Sequence, residues 1–418
     1  MSVECVTLPV CVVIGASHGG VNFAFSLRKE GWQGRILLFD SDTTLPYHRP
    51  PLSKAYLSQD DSGELNLLKS ADSYEKQKIE LHFGQTITAI NRQSKTLSLS
   101  NGEQQAYDVL LMATGARALI PPIEGLAEAK HAYPLRTAAD VSHIRHAIQS
   151  CELKRVVIIG GGYIGLETAA SLRKLGAQVT VLEREERILA RVTAPYMSAY
   201  FQDLHQQQGV KVLTQKNVLS IFTEMQHNMV VCTDGSEYAA DLIVIGVGIR
   251  INHELAQDAA LDIDNGIVVN EQAQTSDPSI YAIGDCANHF NPHYQRRIRL
   301  ESVQNAVDQA KVAAAAICGK SPEYDTIPWF WSDQYDIKLQ MVGLSQGYND
   351  VLVRHEPGES AKFSVWYFQD QHLLALDAVN CAKAYVLATK CIKNQQVINK
   401  TNLLDTQQSL SAEMLLGP

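Results

Sequence analysis

No window of the 418 residues approaches the uninterrupted apolar run of about 18 residues that a membrane-spanning helix needs, so no span is expected. Positive charge is short too. Lys and Arg total 36 against 45 Asp and Glu, a formal net charge of −9, which argues against general nucleic-acid binding while leaving room for a local basic patch. The eight cysteines (Cys5, Cys11, Cys151, Cys232, Cys286, Cys318, Cys381 and Cys391) include no C-x-x-C pair, as expected of reduced thiols in a cytoplasm, most of them small buried hydrophobes. The N-terminus lacks the charged start, apolar stretch and cleavage site of a secretion signal, and no metal site is expected.

What remains is the composition of a globular protein, 45% hydrophobic and 19% charged, too long for one core. Its clearest motif is VVIIGGGYIGLETAASLRKLGAQVTVLE. Residues 155–159 read as a buried parallel strand. Gly160, Gly162 and Gly165 suit the tight turn, the approach of a pyrophosphate and close helix packing. The helix, with Tyr163 and Ile164 at its start, runs to about Leu175 and ends near Gly176. The strand QVTVLE then delivers Glu183, 23 residues after Gly160, where a carboxylate would accept from a ribose 2′-hydroxyl and repel a 2′-phosphate. This favours NADH, although Arg184 and Arg187 follow at once and a guanidinium is what a 2′-phosphate seeks.

VVIGASHGG, residues 12–20, repeats the pattern with one glycine missing. PVCVVI is a strand, Gly15 the turn, VNFAFSLRKEG a helix ending at Gly31, and RILLFD a strand ending at Asp40. Ser17 stands at the middle position as a tolerated small polar substitute that still lets backbone N–H groups face a phosphate, together with Gly19 and Gly20. His18 is either a phosphate or flavin-edge contact or a filler. Near residue 281, SIYAIGDCAN is a short strand ending in Gly284-Asp285, a presentation that suits the ribityl chain of a flavin.

With these pieces placed, the sequence resembles the FAD-dependent pyridine-nucleotide reductases that feed electrons to small iron–sulfur proteins. The matching segments are LPYHRPPLSKAYL, LLMATGAR, PLRTAAD, GGGYIGLE, ILARVTAP, VIGVG, IYAIGDCA, RLESVQNAVDQA and PWFWSDQYDIKLQMVGL, spanning nearly the whole chain in family order. The resemblance implies an α/β fold of two Rossmann-like three-layer dinucleotide-binding domains, the NAD domain (118–246) inserted in a discontinuous FAD domain (1–117 and 247–327). An α+β C-terminal domain (328–418) with an antiparallel sheet follows, its hairpin legible in the alternating runs KFSVWYF and HLLALDAV. By position, the resemblance gives FAD the loop Gly15–Gly20, with Arg49 and Lys54 by the isoalloxazine. Ile87, Ala113, Thr114, Gly115 and Arg136 border the adenine side, Gly284 and Asp285 the ribityl chain, and Val303 the pyrimidine edge. Ser41 stands where the family has its adenosine-ribose aspartate, so Asp40 or Asp42 must substitute, and Asp40 is favoured as the strand-end residue. For NAD it gives Gly160, Gly162, Tyr163, Ile164, Gly165, Glu183, Arg184 and Gly248. Glu167, on the first turn of the helix, guides nicotinamide stacking, pairs with a lysine such as Lys54, or does both.

Disulfide reductases of the same superfamily carry a C-x4-C relay after the first βαβ unit, and here residues 41–60 hold no cysteine. The resemblance therefore implies a thiol-free reaction, NADH + 2 oxidised ferredoxin → NAD⁺ + 2 reduced ferredoxin + H⁺, with FAD converting a two-electron donor into single electrons. The acceptor is a 2Fe-2S ferredoxin, docking transiently and serving a haem-thiolate monooxygenase or a dioxygenase; the protein is expected to be a cytoplasmic monomer. Trp331 resembles the family's aromatic beside the flavin, with core packing the ordinary alternative. Arg296, Arg297, Arg299 and Lys311 would steer an acidic ferredoxin or form a solvated face. The rival readings are a flavin NADH oxidase or peroxide reductase, and an NADH-sensing flavoprotein scaffold.

Overall fold

The computed structural model describes residues 8–59, 64–224, 227–358 and 361–416. Cys5 lies outside them. The chain divides into two compact units, the first drawn from residues 1–48, 66–117 and 250–328, the second from 49–65, 118–249 and 329–418.

The first unit is built on a five-stranded parallel sheet in the order Ile280–Ala282, Val109–Met112, Val10–Ile14, Arg35–Asp40, Ile79–Phe83. Its central strands are apolar runs rather than alternating ones because both faces are covered. On one face the helices His18–Lys29 and Val303–Ile317 pack Val21, Phe23, Ala24 and Leu27 against Ala310, Ala313 and Ala314. On the other, Val12, Leu37, Phe39 and Met112 meet a cluster that includes Ile87, Leu97 and Leu99, from the strands Ile87–Asn91 and Thr96–Leu99 of an antiparallel ribbon. Strand order reverses beside Val10–Ile14, so the turn after that strand opens at the crevice where doubly wound sheets bind ligands.

The second unit repeats the plan. Its parallel sheet runs Lys211–Leu213, Gln178–Leu182, Arg155–Ile159, Leu242–Ile245, Ala132–Pro134, and the strand Arg155–Ile159 and helix Tyr163–Lys174 fall where the sequence places them. The same unit carries a five-stranded antiparallel sheet in the order Trp329–Gln334, Ile337–Gly343, His372–Val379, Phe363–Gln369, Asp350–His355. The expected hairpin is present, with Asp370 at φ 55° in its turn, and the tail after Cys381 forms the helix Ala382–Lys393.

Inside this sheet the buried Tyr367 hydroxyl donates to Asp377 and accepts from the backbone N–H of Ala194 at 3.0 Å. Burial pushes the Asp377 carboxyl up to about 7, a rise that the Tyr367 hydrogen bond only partly opposes. Above the unfolded-state value of about 3.9, the native protein keeps a proton the unfolded chain has released. This group therefore supports the fold at low pH, and its contribution fades as pH climbs from about 4 through about 7. Thermal melts of Asp377→Asn between those limits should show a flatter dependence of Tm on pH than the wild type; parallel curves would contradict the assignment.

Among the described residues all seven cysteines are free, and Cys11, Cys232, Cys286, Cys381 and Cys391 are buried. Burial pushes each of these thiols up, which makes them poor nucleophiles. No helix among the described residues is long and apolar enough to cross a membrane.

Candidate functional site

The two glycine turns are close geometric copies, each within its own unit. Gly15 has φ +102° and Gly160 +109°, and a Cβ at either would meet a carbonyl oxygen, that of Ala113 at 2.3 Å and that of Gly246 at 2.5 Å. At the third position a Cβ on Gly20 would lie 1.9 Å from the Gly15 oxygen, and one on Gly165 would lie 2.2 Å from the Gly160 oxygen. The backbone can close this tightly only without side chains, and each turn then feeds a helix N-terminus, at His18 and at Tyr163, whose leading N–H groups suit a pyrophosphate.

The middle position is different, and this accounts for Ser17. Gly162 has φ −82° and a Cβ there would meet nothing within 4 Å; Ser17 occupies the matching place with φ −103°. Neither backbone needs glycine, so a serine is accommodated. Because the Ser17 side chain does not cap its helix, Ser17→Gly should leave FAD affinity within about twofold of wild type by flavin fluorescence titration; a tenfold loss would instead make the hydroxyl a phosphate ligand.

The carboxylates after the second strands also correspond. Asp40 Oδ2 accepts from Ala16 N at 2.5 Å and Oδ1 from Asp42 N at 2.8 Å. Glu183 Oε2 accepts from Gly161 N at 2.6 Å and Oε1 from Glu185 N at 2.8 Å. Asp42 turns instead to Thr44 and Tyr47, so Asp40 is the one against the turn. Gly161 was not singled out from sequence, yet a Cβ there would meet Ile188 at 2.7 Å and Glu183 at 3.0 Å. Its place as the middle glycine of GGG was its only signal. Arg187 is committed to Thr193 O, Ala190 O and Ser198 Oγ, whereas Arg184 is exposed and pairs with Glu185.

Other sequence-predicted residues are placed as follows. In the first unit, Thr114 Oγ1 donates to Asn252 O at 2.6 Å, and Ala113 N to Ile14 O at 2.8 Å, fixing the loop that ends at Gly115. Gly284 and Asp285 lie in a short 3-10 turn held by Gly284 N donating to buried Gln309 Oε1 at 2.8 Å, and Val303 opens the helix capped by Ser302. His18 is buried edge-on to His48, and Ile87 is a core residue, 5% exposed. Of the basic cluster, Arg297 donates to Val269 O and Asn288 O, Arg299 to Asp285 O and Glu301, and Lys311 to Asp308.

In the second unit, Pro50–Ser53 forms a 3-10 turn whose prolines fix φ, and Arg49 donates to Arg136 O at 2.8 Å. Gly248, at φ +119°, accepts from Leu119 N at 3.0 Å. Glu167 stands one turn into its helix rather than on the first, and it is 2% exposed. Its Oε2 accepts from Lys54 Nζ at 2.8 Å and Ser53 Oγ at 2.5 Å, while Oε1 accepts from Ser332 Oγ at 2.6 Å. Three donors converge on this one buried carboxyl, and Lys54 is its ion-pair partner. Trp331 is half-buried, 5.4 Å from the Trp329 ring, and Tyr163 donates to Met341 Sδ.

Residues 9–310 match the pyridine nucleotide-disulphide oxidoreductase family model. The chain belongs to this family. Membership makes it an oxidoreductase with FAD and NAD(H) as its cofactors, the two nucleotides that the paired turns fit. Residues 329–414 match the reductase C-terminal model. The chain is 45% identical to putidaredoxin reductase of Pseudomonas putida over 374 residues, 88% of each chain. It is 39% identical to rhodocoxin reductase of Rhodococcus erythropolis over 400 residues, 96% of this chain and 93% of the other. A crystal structure of a covalent putidaredoxin reductase–putidaredoxin complex matches with a TM-score of 0.91 at 41% identity, covering 97% of this chain and 98% of that one.

Proposed function

We propose that this family member is an NADH-dependent ferredoxin reductase that uses no thiol relay. The observation that carries the reading is the stretch 41–60. Where a disulfide reductase needs two cysteines it has none, and presents instead a proline-braced turn and Lys54 paired with Glu167. The relatives named for putidaredoxin and rhodocoxin support the same class of acceptor.

In this reading 1–117 with 247–327 form the FAD domain, 118–246 the inserted NAD domain and 328–418 the C-terminal domain. The Gly15–Gly20 turn holds the FAD pyrophosphate, Asp40 its adenosine ribose and Asp285 its ribityl chain. The Gly160–Gly165 turn and Glu183 hold NADH. Arg49 and Lys54 are the cations assigned to the flavin ring, and Glu167 sets the nicotinamide. Bound FAD supplies a ring that takes a hydride and releases electrons singly. The protein's part is to bind and orient: proline-fixed backbone keeps the cations in place, and the ion pair with Lys54 holds the Glu167 carboxyl. With Glu183 against its turn and Arg187 occupied, NADH is the preferred donor. We place the protein in the cytoplasm as a monomer that docks a 2Fe-2S ferredoxin transiently, supplying a haem-thiolate monooxygenase or a dioxygenase.

The test is NADH-driven cytochrome c reduction with and without an added 2Fe-2S ferredoxin. Fast reduction only with ferredoxin is the expected result. Rapid oxygen or peroxide consumption without it would favour the oxidase reading, and tight NADH binding without turnover the scaffold reading.

A further inference from the structure

Glu167 is not an isolated buried acid. Behind it runs a chain of buried polar side chains, each under 2% exposed up to its last member. Ser332 Oγ, which donates to Glu167, accepts from Gln334 Nε2 at 3.2 Å. Gln334 Oε1 faces His205 Nε2 at 2.8 Å, and His205 Nδ1 faces the hydroxyl of half-buried Tyr335 at 3.3 Å. Polarity follows from chemistry. The carboxamide oxygen can only accept, so His205 donates from Nε2; its Nδ1 must then accept, so Tyr335 donates. Every bond points the same way, from Tyr335 to Glu167.

Such a chain is costly to bury unless each member is satisfied, and here each one is. Its fully buried members come from the helix Pro195–Gln207 and the strand Trp329–Gln334, where 332 and 334 face inward at positions that would ordinarily be apolar. A carboxamide does not hand on a proton, so the chain holds rather than conducts. What it holds is the Glu167 carboxyl in one rotamer, because only an acceptor can terminate a run of donors. Burial keeps His205 low, in the neutral form this polarity requires.

We propose that Ser332, Gln334 and His205 are positioning residues for reduction by NADH, acting only through Glu167, whose orientation they fix toward Lys54 and the nicotinamide. The inference rests on the reading above, in which Glu167 sets the nicotinamide.

The experiment mixes holoenzyme with NADH anaerobically and follows loss of flavin absorbance, giving a limiting rate and a half-saturating concentration. Ser332→Ala should cut the limiting rate about tenfold, the scale of a lost hydrogen bond to a charged group, and move half-saturation by less than about twofold. Ser332→Thr, which keeps the hydroxyl, should restore the rate to within about threefold of wild type. Gln334→Met, close in volume, should slow it as well, and serves should Ser332→Ala fold poorly. In a Glu167→Gln background Ser332→Ala should slow the rate no further, and urea unfolding of the same four holoproteins should show non-additive losses. Alanine and threonine variants equally slow, or additive effects in both cycles, would reduce the chain to packing and overturn the inference, as would Ser332→Ala reacting at the wild-type rate. Wild-type flavin that NADH does not bleach would overturn the functional reading itself, and this inference with it.

Discussion

Gly160→Ala should yield a protein that purifies yellow, binds FAD normally and is scarcely reduced by NADH. The alanine methyl would sit 2.5 Å from the Gly246 oxygen on a backbone at φ +109°, so the turn must open or its neighbour strand must shift. Backbone strain of about 1–3 kcal/mol and overpacking of about the same size together predict NADH binding weaker by at least about thirtyfold. The lesion is confined to one nucleotide because the other turn is independent. Gly15→Ala, 2.3 Å from Ala113 O, should produce the opposite phenotype, a protein recovered without flavin. Titration of NAD⁺ into each variant, with the flavin content per polypeptide, separates the two. A Gly160→Ala protein that keeps wild-type NADH affinity would show that this turn does not carry the nicotinamide nucleotide.

The second large effect is on stability. Glu167→Ala removes the acceptor shared by Lys54, Ser53 and Ser332, leaving a cation that is only 19% exposed and two hydroxyls without their partner. Breaking one side of a buried ion pair costs about 3–5 kcal/mol, well beyond the usual effect of a surface charge change. Urea unfolding of the holoprotein should lose that much, while Glu167→Gln, which still accepts through one oxygen, should lose less. Equal, small losses in both would mean that the pair is solvated in solution.

How much of this was legible in the chain depends on the range of the signal. The nucleotide turns were readable because strand, turn, helix and acid lie within about thirty residues and each obeys a local rule. The strand Arg155–Ile159 and the strand end at Asp40 fall where they were expected. Ser17 was readable as tolerated, but only the empty space around Gly162 explains why. The Lys54–Glu167 pair came from the family resemblance and is present, but the other pairings across the sequence could not be read. Ser53 and Glu167 are 114 residues apart, Glu167 and Ser332 165, and His205 and Gln334 129. No periodicity encodes such contacts. The polar residues at 332 and 334 did leave a trace, since a strand that places serine and glutamine inward breaks the apolar pattern of a core. Arg187 marks the opposite limit: the sequence offers it as a phosphate ligand, and the fold spends its guanidinium on the backbone of its own loop.

The central claim is that electrons leave the flavin one at a time without passing through sulfur. Anaerobic titration measures this directly, with the holoprotein and excess oxidised 2Fe-2S ferredoxin reduced by known amounts of NADH before and after exhaustive alkylation by iodoacetamide. Two ferredoxins reduced per NADH, at the same rate in both samples, is the result predicted. Loss of ferredoxin reduction on alkylation, with the flavin still bleached by NADH, would place a cysteine in the path and contradict it.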